Sequence, residues 1–299
     1  MFNEDSRVKI PAILHLCRLG YTYIPKSKQD RLEENNIFPD IFKRSISKIN
    51  PQISEEEIQR LLTDVSLKLN YDDLGREFFR SLVNTSGTKL IDFENFNNNE
   101  FHVTTELTCK KGDEEFRPDI TVLINGMPLV FIEVKKPNNR EGVIAERNRI
   151  NKRFALKDFR AFTNVTQLML FSNNMEYEDG VIEPIMGAYY ATPSKDSVMF
   201  NYFREEELLN YTHLLKPENE ELENLVLKDN NIAAIKYTDE FKLNKNYEPP
   251  TNRIITSLLS RERLAFFLQF GITYVERTNR EGKIVIEKHI MRYPQFFAS

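Results

Sequence analysis

Cysteine is scarce in this chain. Only Cys17 and Cys109 occur, in separate apolar-rich segments and without the close spacing of a zinc site. Both are expected to be reduced core residues. Long apolar runs are missing too. None approaches the ~20 residues of a membrane span, so no membrane association is expected. Met1-Phe2-Asn3-Glu4-Asp5 lacks the basic and apolar regions of a secretory signal, which gives the expectation of a cytoplasmic protein. Positive charge is not in excess, the formal net charge being -4. That excludes a global basic field but leaves room for local basic patches: Lys110-Lys111, Lys135-Lys136, and the run Arg147, Arg149, Lys152, Arg153, Lys157 and Arg160. A G-x-x-x-x-G-K-[ST] phosphate loop is absent, as is any internal repeat.

What remains is an ordinary composition, 40% hydrophobic and 29% charged over 299 residues, enough for one large or two ordinary domains. Residues from about 8 to 83 read as mostly helical. A capping box, Ser54 with Glu57, opens a helix whose Ile58, Leu61, Leu62, Val65 and Leu69 recur at helical spacing. A second helix is expected from about Leu74 to Val83, with Phe78, Phe79 and Leu82 inward, and Asp92 to Asn99 is a loop. The pattern then changes to period two. Phe101, Val103, Thr105 and Leu107 predict a half-buried strand. Ile120 to Ile124 and Leu129 to Val134 are apolar runs joined by Asn125-Gly126, a hairpin signal. Gly142 to Thr163 predicts a charged helix carrying Val143, Ile150, Phe154 and Phe162, and Gln167 to Ser172 a further strand. Short acidic helices are expected at Glu205 to Leu209 and Glu218 to Leu227. A polar linker spans 228 to 252 and ends in Pro249-Pro250, followed by an amphipathic helix from Arg253 to Phe270 and a short strand from Lys283 to Glu287.

The chemistry concentrates in Arg117-Pro118-Asp119-Ile120 and Glu133-Val134-Lys135-Lys136-Pro137. On a strand, Glu133 and Lys135 project to one face while Ile132 and Val134 project to the other. Whether Asp119 joins them depends on register. A two-residue Asn125-Gly126 loop sets Asp119 opposite Ile132, on the wrong face. A three-residue Asn125-Gly126-Met127 loop, or a bulge with the same effect, sets it opposite Glu133. Two adjacent carboxylates repel unless a cation or proton joins them, and Mg²⁺ suits such a pair, with the Val134 carbonyl as a further oxygen ligand. Lys135 would orient the attacking water or offset developing charge. Taken alone, an E-x-K triplet is usually a solvated ion-paired face and a Pro-Asp before a strand is usually a turn. Their conjunction across one hairpin is what points to a site.

These segments resemble the PD-(D/E)xK nuclease superfamily, and more closely the N-terminal endonuclease region of type I restriction enzyme R subunits. The resemblance is carried by Lys89 to Asn95, Asn99 to Val103, Arg117 to Ile120, Asn125 to Val130, Ile132 to Pro137 and Phe171 to Met175. Leu19 to Tyr23 upstream and His289 to Phe297 downstream extend it. It implies a restriction-endonuclease-like α/β fold: a mixed central sheet flanked by helices, with a helical N-terminal region and a C-terminal connector. Residues 1–190 would form the endonuclease domain and 191–299 a connector to an ATP-dependent motor lying beyond this chain. By the same resemblance Asp119 and Glu133 are metal ligands and Lys135 is the catalytic lysine of double-strand DNA cleavage, with Mg²⁺, or Mn²⁺ in its place, as cofactor. ATP would act only in the motor.

An acidic residue of the helix before the sheet sometimes assists in the superfamily, and Glu77 is the nearest candidate. Many relatives carry Gln-x-x-x-Tyr on the helix after the lysine. Here Arg149 and Arg153 occupy those places. Spaced by four they share a helix face and, with Lys136, are candidate contacts to DNA phosphate. The implied partners are double-stranded DNA, modification and specificity subunits, and the motor. The helix from Arg253 to Phe270 and the residues Tyr293, Phe296 and Phe297 would pack on that motor. Two rival readings are a free-standing repair or junction nuclease and a non-catalytic DNA-docking or assembly module of the same fold.

Overall fold

The structure, a computed structural model, describes residues 4–111, 114–137, 142–175, 187–194, 198–204, 211–278 and 282–298. A π-helical turn, Asp5–Lys9, runs into α1 (Ile10–Arg18), followed by β1 (Thr22–Tyr23), α2 (Pro39–Ile49), α3 (Glu55–Lys68) and α4 (Arg76–Leu82). Next come β2 (Phe101–Thr105), β3 (Cys109–Lys111), β4 (Glu114–Phe116), β5 (Ile120–Ile124) and β6 (Met127–Val134). After α5 (Gly142–Ala155) and α6 (Arg160–Val165) the chain returns as β7 (Leu168–Ser172), β8 (Ala188–Ala191) and β9 (Asn201–Tyr202). The remainder is α7 (Glu220–Asp229), α8 (Asp239–Asn244), α9 (Pro250–Leu259), α10 (Arg261–Phe270), β10 (Ile272–Thr278), β11 (Ile284–Ile290) and α11 (Tyr293–Phe297).

Local signals explain several boundaries. The Ser54 hydroxyl accepts from the Glu57 amide at 3.3 Å and the Glu57 carboxylate accepts from the Ser54 amide at 2.8 Å, which fixes the start of α3. Ile58, Leu62, Val65 and Leu69 are then buried at the predicted spacing. Asn125 and Gly126 both take positive φ, +50° and +78°, as a tight two-residue hairpin turn of this kind demands. The buried Asn125 amide pins that turn, donating to the Leu90 carbonyl and to Asn99 while accepting from the Glu100 amide.

The central sheet is mixed, with strand order β1-β2-β5-β6-β7-β8-β9. β2, β5 and β6 form an antiparallel meander, and β6 pairs parallel with β7. A parallel neighbour needs a crossover, and α5 with α6 supplies it. Both faces are covered. Val130, Ile132 and Val134 enter the main core with Ile13 of α1 and Ile255 of α9, whereas Phe131, Met169, Phe171 and Tyr189 face Ile150 and Phe154 of α5. Glu133 follows the parity of Phe131, on the α5 side. Coverage of both faces also explains why β2 is buried throughout, with Thr104 as enclosed as Val103 and His102 buried too, where the alternation had predicted a half-buried strand.

Other expectations change. The charged segment from Gly142 breaks into two helices, because a 3₁₀ turn at Lys157–Phe159 intervenes. Residues 228 to 252 are no linker: Thr238 caps α8, whose Phe241 is fully buried, and Pro249-Pro250 begins α9, where a proline lacking its N–H fits the first helical position. Arg253 to Phe270 is interrupted at Ser260, whose extended backbone turns α9 into α10. Ile254, Ile255, Leu258, Leu259, Leu264 and Phe267 lie in the main core and Phe296 packs on Phe267 with ring centroids 5.4 Å apart, while Phe270 at the end of α10 is 61% exposed. The predicted strand at Lys283 to Glu287 is β11, paired antiparallel with β10. The segment Glu205 to Leu209 lies outside the described residues. Cys17 and Cys109 are buried and unpaired, and burial pushes both thiols up to about 12. Among the described residues no helix is long and apolar enough to cross a membrane.

Candidate active site

The hairpin reaches the functional register by a bulge. Next to the turn, Ile124 pairs with Met127 and Leu123 with Pro128, the register of a two-residue loop. Between Val122 and Leu123 it shifts, leaving Leu129 as an extra residue, so that Val122 faces Val130 and Ile120 faces Ile132. The shift brings Asp119 to the side of the sheet that carries Glu133 and Lys135. Asp119 Oδ2 accepts from the Val134 amide at 2.9 Å and lies 3.9 Å from Lys135 Nζ, and that ammonium donates to Glu133 Oε1 at 2.5 Å. The Lys135 amide donates to the Ser172 carbonyl at 2.8 Å, fixing the end of β6 against β7.

The electrostatics are those of crowded carboxylates. Glu133 is only 7% exposed, and burial together with the neighbouring Asp119 pushes its carboxyl up to about 8. Burial raises Asp119 as well, against the pull of Lys135 and of the Val134 amide. Burial opposes the charge on Lys135, but Glu133 and Asp119 outweigh it and hold the ammonium above the ordinary lysine range. Glu133 Oε2 is buried with no hydrogen-bond partner among the described residues. A buried carboxylate oxygen without a donor is where a hard cation fits, and the oxygen donors Asp119 and Glu133 suit Mg²⁺. Among the described residues, no group of three or more His, Cys, Asp or Glu side chains is arranged to hold a metal. Two carboxylates are within the number that Mg²⁺, which keeps several of its waters, commonly takes from a protein.

Two further carboxylates come close. Glu4, just before the π-helical turn, accepts from the Lys136 amide at 3.1 Å, and burial raises its carboxyl. Glu146 of α5 lies 4.0 Å from Lys135 Nζ. It also pairs with Arg149 at 2.6 Å and Arg153 at 3.1 Å.

The family model of the type I restriction enzyme R protein N terminus matches residues 1–178. The chain belongs to that family. A putative type I restriction enzyme MjaIXP endonuclease subunit of Methanocaldococcus jannaschii is 28% identical over 203 residues, covering 60% of this chain and 19% of that protein. The type I restriction enzyme HindI endonuclease subunit of Haemophilus influenzae is 24% identical over 165 residues, 49% of this chain and 15% of the relative. The SauMSSORF170P endonuclease subunit of Staphylococcus aureus is 30% identical over 156 residues, 52% and 15%. The chain thus spans less than a fifth of the length of these relatives.

In this R-protein N-terminal chain the other sequence-predicted residues fall as follows. Glu77 is not with the hairpin carboxylates: it pairs with Arg80 and Arg76 at the start of α4. Lys136 meets the site through its backbone amide. Arg149 and Arg153 do share a face: both pair with Glu146, Arg153 mostly enclosed and Arg149 54% exposed. Sequence reasoning missed Glu4 and Glu146. Nothing in the chain announces Glu4, which is 132 positions from the amide it accepts. Glu146 was detectable, because spacings of three and seven put Arg149 and Arg153 on its helix face.

Proposed function

We propose that this chain is a nuclease that hydrolyses phosphodiester bonds of double-stranded DNA, with Mg²⁺ (or Mn²⁺) held by Asp119, Glu133 and the backbone carbonyl of Val134. The observation that carries the reading is the convergence of Asp119, Glu133 and Lys135 on one side of the sheet through the bulge, with one buried Glu133 oxygen left without a donor. A bound divalent ion supplies Lewis acidity toward a phosphate oxygen and a more acidic water. The Val134 amide fixes Asp119, so its carboxylate is oriented before any ligand arrives. Lys135 Nζ, now on Glu133 Oε1, is placed to donate to the attacking water or to a non-bridging phosphate oxygen as charge develops there. The reading needs no covalent intermediate, since no nucleophilic side chain is required beside these three groups.

In the intact enzyme, cleavage is coupled to ATP-driven translocation by a C-terminal motor, and modification and specificity subunits choose the site. The decisive test is Lys135→Ala in the full-length R subunit. Loss of DNA cleavage with translocation intact is expected, and undiminished restriction would overturn the assignment. Asp119→Ala and Glu133→Ala should each weaken Mn²⁺ binding measured by calorimetry. Unchanged metal affinity would favour a docking module of the same fold.

A further inference from the structure

Glu146 is an unusual acid for a charged surface helix. Its side chain is 2% exposed, yet it has two arginines of its own helix on it and the Lys135 ammonium 4.0 Å away. The two arginines are not equivalent. Arg153 donates to Glu146 Oε1, is 21% exposed, and lays its guanidinium over the Phe116 ring, 3.9 Å from the centroid. Stacked and ion-paired, it is a fixed part of the wall between α5 and β4. Arg149 is 54% exposed and touches Glu146 Oε2 at 2.6 Å in a close ion pair without hydrogen-bond alignment. About half of its side chain is open to solvent, and a guanidinium with five donors has donors to spare beyond this pair. Arg149 and Lys135 approach the same Glu146 oxygen, so the two cations sit one carboxylate atom apart.

We propose that Glu146 is a positioning residue: its buried carboxylate, anchored from within by Arg153, holds Arg149 beside Lys135 so that the free guanidinium donors receive a backbone phosphate of duplex DNA. The inference rests on the nuclease reading and adds to it a phosphate contact and the acid that aims it. The substrate group is a phosphodiester oxygen, for which a planar guanidinium is well matched. An ordinary exposed i,i+3 ion pair would not do this, because both partners would be free to swing in water. Here burial of the acid restrains the arginine.

The expected sign is counterintuitive. Glu146→Gln removes a negative charge from a DNA-facing site, which on charge alone should tighten DNA binding. If Glu146 acts by aiming Arg149, the same change weakens it. The experiment is fluorescence anisotropy of a short DNA duplex with the 299-residue chain, without divalent metal, across a series of salt concentrations. Arg149→Ala should weaken binding by roughly three- to tenfold and flatten the salt dependence by about one phosphate contact. Glu146→Gln should do the same, and the double variant should be no worse than either single one, because both remove one contact. In metal-supported cleavage, both changes should raise KM more than they lower kcat.

Tighter or unchanged binding by Glu146→Gln would overturn the inference, as would additive losses in the double variant. Arg149→Ala alters a half-exposed side chain and serves should Glu146→Gln fold poorly: unchanged affinity and salt slope in it overturn the inference by themselves. Because binding is read without metal, failure here is separable from failure of the nuclease reading, which would show as cleavage that survives Lys135→Ala.

Discussion

Replacing Glu133 by glutamine should make the metal-free protein more stable while removing its response to metal. The reason lies in the cost of the carboxylate. Glu133 is almost wholly buried, one oxygen meets Lys135, the other meets no donor, and Asp119 stands beside it. Its carboxyl is pushed from 4.5 up to about 8, first by burial and then by Asp119. A displacement of that size makes ionisation in the folded chain costlier than in water by on the order of 5 kcal/mol. Coupling to Asp119 and Lys135 spreads the cost, so a gain of roughly 1–3 kcal/mol for the amide at pH 8 is expected.

The sign of the pH dependence follows. Between about pH 4.5 and 8 the folded chain holds a proton at Glu133 that the unfolded chain has lost, so apo stability declines as pH rises through that window. A divalent cation replaces the proton and should flatten the decline. In thermal melts from about pH 5 to 9, at roughly 2–4 °C per kcal/mol for a large domain, Glu133→Gln should melt several degrees above the unchanged chain at pH 8 without metal. It should show little slope below about pH 7 and no rise with Mg²⁺. A Glu133→Gln protein that melts lower at pH 8, or that keeps its Mg²⁺ shift, would refute the reasoning.

Three further outcomes are expected. Lys288 of β11 is buried and donates to the Thr166 carbonyl and to Gln167, and burial pushes its pKa down to about 7. The unfolded chain then holds a proton that the folded chain gives up between about pH 7 and 10.5, so stability should rise across that range. Lys288→Met should abolish the rise, and a difference in melting temperature that stays constant with pH would count against it. Gly126→Ala places a Cβ 2.7 Å from the Phe38 carbonyl oxygen and 2.7 Å from the Phe42 amide, at a φ of +78°. A loss of roughly 2–3 kcal/mol in urea unfolding is expected. Ser54→Ala breaks the reciprocal cap of α3 and should cost about 1 kcal/mol by the same measurement, with no effect on DNA affinity.

How much of this was legible in the sequence depended on how local the cause was. The Ser54 cap, the hairpin at Asn125-Gly126 and the strands on either side of it are encoded within a few residues, and they stand as read. The need for a register correction was legible too, because counting from the turn shows that a plain two-residue loop misplaces Asp119. Which correction the chain adopts was not. The bulge at Leu129 depends on β5 and β6 together with the strands flanking them. Tertiary burial overrode local pattern in β2, where alternation implied a wet face that other elements cover. Pro249-Pro250 looked like a linker because proline is ambiguous between a turn and a first helical position, and only the buried Ile254 and Ile255 beyond it decide. Glu4 reaches the site through folding alone.

The bulge has a consequence for how such a chain can change over generations. Side chains alternate across a strand, so a hairpin whose arms differ by one residue needs a bulge to bring Asp119 and Glu133 to one face, whereas arms of equal length do not. Loss of Leu129, the extra residue of the bulge, would leave a plain two-residue hairpin in which Asp119 still stands opposite Glu133. Straightening the bulge at unchanged length, by contrast, would leave Asp119, Glu133 and Lys135 all present in the text of the protein with Asp119 on the far face. An inventory of intact acidic and basic letters would not tell these two descendants apart.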